Sequence, residues 1–165
     1  MNILYKMSLF WGSKKSKEDE ELMKQTIDTS EFSLKGETHR AKVVKVYDGD
    51  TVHIVLKKFN QFFRFNCRIS GVDTPELRTK NTIEKQMGYM VRDKLSELIL
   101  DKIVTVHCDD FDKYGRLLIR IDIMDSSSNP IDISDWLILN EYAYAYGGGT
   151  KQNWEEIFNK KKTSD

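Results

Sequence analysis

From His39 onward the chain alternates apolar and polar residues in short runs, and the runs predict strands. Residues Ala41 to Tyr47 and Thr51 to Lys57 are rich in Val and Ile, and the Asp48-Gly49 between them is a hairpin signal. A third strand is expected from Gln61 to Ile69, with Phe62, Phe63 and Phe65 supplying bulk. The period then changes. Ile83, Met87, Met90, Val91, Leu95, Leu98 and Ile99 recur every three or four positions, which predicts a helix over Thr82 to Leu100. Strands are expected again at Ile103 to Cys108 and Arg116 to Met124, joined by a loop containing Lys113-Tyr114-Gly115. Asp125 to Pro130 reads as a plain loop, and Ile133 to Asn140 and Gln152 to Lys161 as two short helices.

Three strands, a helix and two strands is the order of the five-stranded OB barrel, an α+β and mainly β fold whose helix lies between strands three and four. A parallel βαβ sheet would want a helix between every strand pair, and the first three strands have only short connections. The two short carboxy-terminal helices are expected to pack outside the barrel and close its open end. The chain divides near residue 39, into an arm over 1–38 and a domain over 39–165. From Gly12 to Glu37 the arm is charged, and Ser16 followed three residues later by Asp19 suits a helix cap. Met1 to Trp11 is apolar but interrupted by Lys6, with no small-residue cleavage site, so it makes a poor signal peptide and is too short to span a bilayer. An intracellular setting without a membrane partner is the expectation, with surface docking through Ile3, Leu4, Leu9, Phe10 and Trp11 left open.

Composition narrows this only a little. The 165 residues carry 26 basic and 26 acidic side chains, so no global basic field marks a nucleic-acid partner. A hydrolase that grips a few phosphates through local charge remains compatible with neutrality. Cys67 and Cys108 form no Cys-x-x-Cys pair and have no His at zinc spacing, which argues against structural zinc. His39, His53 and His107 do not cluster, which disfavours nucleases built on a histidine pair.

Three acidic or basic turns carry the candidate chemistry: Asp48-Gly49-Asp50-Thr51, then Arg68 leading to Gly71-Val72-Asp73-Thr74-Pro75-Glu76, then Asp112-Lys113-Tyr114-Gly115-Arg116. A divalent cation needs hard oxygen ligands, hydrolysis needs a base, and a phosphoryl transition state needs cations around its oxygens. Each requirement has a candidate here. An EF-hand counted from Asp48 fails, since its sixth position is His53 where Gly is needed and its twelfth is Phe59 where Glu is needed. Taken singly, the acidic turns read as ordinary hairpin and helix-cap residues. An arginine inside the apolar Cys67-Arg68-Ile69 strand is different, because a charge there requires a partner. Gly147 to Gly149 lacks the Gly-Lys-Ser/Thr pattern of a phosphate-binding loop and reads as a turn.

Together, in this order and at these separations, the three words resemble the staphylococcal nuclease family over about Arg40 to Trp154. The resemblance implies an OB-type barrel with a Ca²⁺-dependent nuclease that cleaves DNA and RNA with little base preference, single strands favoured. It implies cleavage of the bond to the 5′ oxygen, leaving 3′-phosphates, and the expected state is a monomer. Asp50 and Asp73 match the metal-binding carboxylates, with the backbone carbonyl of Thr74 as a further ligand. Glu76 matches the carboxylate that activates or positions water, and Arg68 and Arg116 match the arginines that hold phosphate. Asp48 is expected to shape the turn behind the metal ligands, and Lys113 and Tyr114 to line the site or aim Arg116. Tyr144 and Tyr146 are substrate-contact candidates; the register is ambiguous and Tyr146 fits both versions. The rival expectation is a non-catalytic OB module that binds nucleic acid or protein, against which the retained carboxylates and arginines speak.

Overall fold

A computed structural model of the chain describes residues 16–125 and 127–162. The apolar stretch Met1 to Trp11, with its docking reading, lies outside the described residues. Contacts divide the chain into two units, with the boundary between Phe32 and Ser33. In the first, Ser16 caps α1 (Lys17–Leu22). Its hydroxyl accepts from the Asp19 amide at 3.1 Å while the Asp19 carboxylate accepts from the Ser16 amide at 2.9 Å. The helix buries none of its residues.

The second unit contains β1 (Thr38–Val46), β2 (Thr51–Lys58), β3 (Gln61–Ile69), β4 (Val72–Asp73), α2 (Thr82–Ile99), β5 (Ile103–Phe111), β6 (Leu117–Met124), β7 (Pro130–Asp132), α3 (Ile133–Leu139), β8 (Tyr144–Ala145) and α4 (Trp154–Lys162). Antiparallel ladders run β3-β2-β1-β5-β6, and a parallel β3–β6 pairing joins the two ends into a closed five-stranded barrel. This is the OB arrangement, with α2 between the third and fourth barrel strands. Register shifts between Val43 and Lys45 in β1, and between Cys108 and Phe111 in β5, mark bulges. Bulges add local twist and bend, which helps so short a sheet to close.

The inward positions of the strands form one core with Val91, Leu95 and Ile99 of α2 and with Ile133 and Leu137 of α3. The helical stripe is narrower than its spacing suggests, since Ile83 and Met90 are exposed. The packed unit also starts earlier than residue 39. Leu34 is fully buried in the barrel core, and Gly36 and Glu37 exchange backbone hydrogen bonds with Cys108 at 2.9 and 2.8 Å. Burial pushes both free thiols up, Cys108 to about 11 and Cys67 further, with the neighbouring Cys108 adding to the effect on Cys67. Among the described residues no helix is long and apolar enough to cross a membrane.

Two turns differ from the sequence expectation. The two-residue hairpin lies between β2 and β3, where Phe59 and Asn60 take positive φ (48° and 60°) between the paired Lys58 and Gln61. Gly49 in the β1–β2 loop is not among the positive-φ residues. It is needed for close approach: a Cβ there would meet Thr74 Oγ1 at 2.7 Å and Val91 Cγ1 at 2.8 Å. The loop carrying Asp50 is thereby pressed onto the segment carrying Asp73 and Thr74. The small β4–β8 ladder and the strand β7 are additions that residue pattern alone does not reveal.

Candidate active site

Arg68 sits near the end of β3, where β2 lies on one side (Thr51 opposite Arg68) and β6 on the other (Leu118 opposite Arg68). Its side chain is mostly buried, so it takes acidic partners. Nη1 lies 2.5 Å from Asp50 Oδ2, and Nη2 donates to Asp73 Oδ1 at 3.3 Å and to the Val72 carbonyl at 3.1 Å. Asp73 is almost wholly buried and fully engaged: Tyr144 OH donates to Oδ2 at 2.8 Å, and Lys151 Nζ reaches Oδ1 at 2.7 Å. The same ammonium lies 2.6 Å from Oε1 of the half-exposed Glu76.

The network continues in the other direction. Thr51 Oγ1 donates to Asp50 Oδ1 at 2.9 Å and accepts from Arg116 Nη1 at 3.4 Å. Asp112 Oδ2 takes Arg116 Nε and Nη2, each at 2.8 Å. One chain of contacts therefore runs Glu76, Lys151, Asp73, Arg68, Asp50, Thr51, Arg116, Asp112. It brings together Asp50, Arg68, Asp73, Glu76 and Arg116 from three separate stretches of sequence. Asp48 makes no contact in this chain; its Oδ1 accepts from the Asp50 amide at 3.2 Å and shapes the loop.

The charges in this network do not balance evenly. Burial pushes the Asp50 carboxyl up to about 7, although the Arg68 charge opposes the shift. Burial works against the Arg68 and Lys151 cations as well, yet their carboxylate neighbours outweigh it and raise both. Burial, then the hydrogen bond to Asp73, pushes Tyr144 up to about 12. Asp112 is also opposed by burial, but hydrogen bonds from the Arg116 and Tyr114 amides and the Arg116 side chain hold it below the usual carboxylate range.

These residues suit a hard divalent cation. Asp50 and Asp73 converge on one guanidinium, and Thr74, also buried, follows Asp73 directly. Among the described residues no group of three or more His, Cys, Asp or Glu side chains could hold a metal ion, so a cation here would have only Asp50, Asp73 and the Thr74 carbonyl as protein donors. Few protein oxygens with several waters describes an exchangeable site.

A cleft of about 440 Å³ opens above Arg68 and Arg116, lined also by Asp112, Tyr114, Tyr146 and Gly148. Lys113 and Tyr114 form its rim. The Tyr114 ring is exposed, with Lys113 Nζ at 5.1 Å and the Arg116 guanidinium at 5.7 Å from its centroid. The β4–β8 ladder places Tyr144 opposite Asp73 and draws the Tyr146 amide to the Gly71 carbonyl at 2.8 Å. Tyr144 is thus a support beneath Asp73, while Tyr146, whose OH donates to Gly149 at 2.7 Å, faces the cleft.

The family model described as Staphylococcal nuclease homologue matches residues 66–163. The chain belongs to this family. The match opens within β3 and includes Arg68, Asp73, Glu76, Arg116 and both tyrosines; the barrel adds Asp50 from the β1–β2 loop ahead of it. An uncharacterized protein of Methanocaldococcus jannaschii is 31% identical over 130 residues, which cover 67% of this chain and 60% of that protein. Protein ParB of Escherichia coli is 27% identical over 111 residues, covering 65% of this chain and 57% of that protein. The match therefore spans about three fifths of the length of each relative.

In this staphylococcal nuclease homologue, sequence reasoning missed Lys151. Glu76 and Lys151 lie 75 positions apart, and no spacing rule links them. The only available signal was a lysine shortly after the glycines 147–149, two of which, Gly148 and Gly149, adopt φ of +101° and +97° that other residues rarely take.

Proposed function

We propose that this protein is a Ca²⁺-dependent nuclease that hydrolyses phosphodiester bonds of DNA and RNA, single strands favoured, with little base preference. The observation that carries this reading is the unbroken chain of contacts from Glu76 through Asp73, Arg68 and Asp50 to Arg116. A scissile phosphate in the cleft meets Arg68 and Arg116, whose planar donors fork onto its oxygens and keep their charge at any working pH. Asp50, Asp73 and the Thr74 carbonyl hold the cation, which when bound supplies further positive charge to the phosphoryl oxygens. Glu76, half-exposed beside Asp73, takes a proton from water as the water oxygen bonds to phosphorus. The bond to the 5′ oxygen breaks, leaving a 3′-phosphate, and the released oxygen is protonated from solvent. Lys151 must leave Asp73 and Glu76 for this arrangement to form. The activity is assigned to the unit that begins at Ser33, acting as a monomer.

The direct test is digestion of plasmid and single-stranded DNA and RNA with Ca²⁺, Mg²⁺ and EDTA side by side. Degradation with Ca²⁺ that stops on chelation is expected. Undiminished digestion in EDTA, or none with any divalent cation, overturns the reading; retained binding without cleavage would make this barrel a binding module.

A further inference from the structure

A second basic surface is built from segments next in sequence to the Asp48–Asp50 loop and to Glu76. Lys45, Tyr47, Arg78, Lys85, Tyr89 and Arg92 line a hollow of about 480 Å³ built from the end of β1, the segment after Glu76 and the first turns of α2. Four cations line it and no carboxylate does, in a chain whose formal net charge is zero. Arg92 is taken up by Asp93, with Nη2 2.6 Å from Oδ1. Lys45, Arg78 and Lys85 have no acidic partner among the described residues. Lys45 and Arg78 lie 5.5 and 5.6 Å from the Tyr47 ring centroid, and Arg92 lies 4.8 Å from that of the exposed Tyr89. The field reaches His53, paired with Lys45 in the β1–β2 ladder, whose pKa is lowered by burial and then by Lys45 and Arg64.

Position in the chain ties this hollow to the carboxylates of the candidate site. Tyr47 directly precedes the Asp48–Asp50 loop, and Leu77 and Arg78 directly follow Glu76. Unpaired cations interleaved with aromatic rings suit one ligand above others: a flexible polyanion with stackable faces. A duplex hides those faces, and an acidic peptide lacks them. We propose that the hollow is a track for the single-stranded polynucleotide beyond the scissile phosphate, with phosphates on Lys45, Arg78 and Lys85 and a base against Tyr89. The proposal rests on the nuclease reading of the cleft, but its test needs no cleavage.

Fluorescence anisotropy in EDTA would compare a labelled single strand of about 20 nucleotides, longer than one OB site, with a dinucleotide. The proteins are the full chain, the variant Lys45→Glu/Arg78→Glu/Lys85→Glu, and a charge-matched control, Lys57→Glu/Lys94→Glu/Lys102→Glu, with folding checked by circular dichroism. The track variant should bind the long strand about tenfold or more weakly, and its log–log salt slope should be shallower by roughly 2, about 0.7 for each of three phosphate contacts. Its affinity for the dinucleotide should match that of the parent. An unchanged slope, an equal loss in the control, an equal loss with the dinucleotide, or tighter binding of a Glu-rich peptide than of the strand overturns the proposal. Failure of the parent to cleave while the track effect persists would sink the nuclease reading alone.

Discussion

The floor and the rim of the cleft hold their arginines in different ways. On the floor, the mostly buried Arg68 is tied to Asp50 of the β1–β2 loop and Asp73 of β4, so its charge is part of how the barrel packs. On the rim, Arg116 is held by Asp112 from its own turn, four residues back, and by a longer contact to Thr51. Removing Arg68 strands the almost fully buried Asp50 and Asp73, whereas Asp112 keeps the Tyr114 and Arg116 amides as donors when the Arg116 side chain is removed. The floor should therefore couple catalysis to stability, and the rim should not.

Replacing each arginine breaks or sharpens this contrast most strongly. On the proposed nuclease reading, Arg68→Ala and Arg116→Ala should both lower the cleavage rate by about 10²-fold or more, because each would remove charge facing the developing phosphoryl oxygens. Arg68→Ala should in addition cost about 3–5 kcal/mol of stability, and Arg116→Ala clearly less, because Asp112 keeps its backbone donors. Thermal melts beside initial rates decide the matter, and equal losses of stability would remove the distinction.

A smaller effect should appear in pH. Asp50 is raised in the folded protein from 3.8 to about 7, so its contribution to stability is present below pH 4 and fades as pH rises toward 7. Without Ca²⁺, the melting temperature of Asp50→Asn relative to the parent should rise between pH 4 and pH 8, as the parent's buried carboxyl ionises, on top of a pH-independent loss from the Arg68 pair. Saturating Ca²⁺ should erase that rise. A difference independent of pH would mean that the buried charge of Asp50 is not its source.

The smallest expected change concerns Lys151, which bridges the buried Asp73 and the half-exposed Glu76. On the proposed reading it occupies oxygens the cation would need, so Lys151→Met should tighten Ca²⁺ binding by about fivefold, the equivalent of ~1 kcal/mol for a part-exposed pair. Calorimetry measures this directly. Unchanged or weaker affinity would assign the lysine to holding the carboxylates in place.

The rim was more legible in the sequence than the floor. Asp112-Lys113-Tyr114-Gly115-Arg116 is one turn, and Gly115 at φ +77° with Asp112 accepting the Tyr114 and Arg116 amides is the local geometry such a word favours. On the floor, the sequence showed that Arg68 needed a partner inside a strand, while the pairing itself required the loops to meet. Gly49 illustrates the limit. As a turn residue it looked ordinary, and its role came from Thr74 and Val91 approaching where a Cβ would stand.

By itself the sequence determined the strand order, the helix between the third and fourth barrel strands, the cap at Ser16 and the three motif words, because periodicity and short-range hydrogen bonding are written within a few residues. Only the tertiary structure decided which tyrosine supports Asp73, where Lys151 lands and that Lys45, Arg78 and Lys85 share one surface. Each depends on long-range contacts, the closure of β3 onto β6, the β4–β8 ladder and the packing of α2, which bring together residues that no local pattern relates.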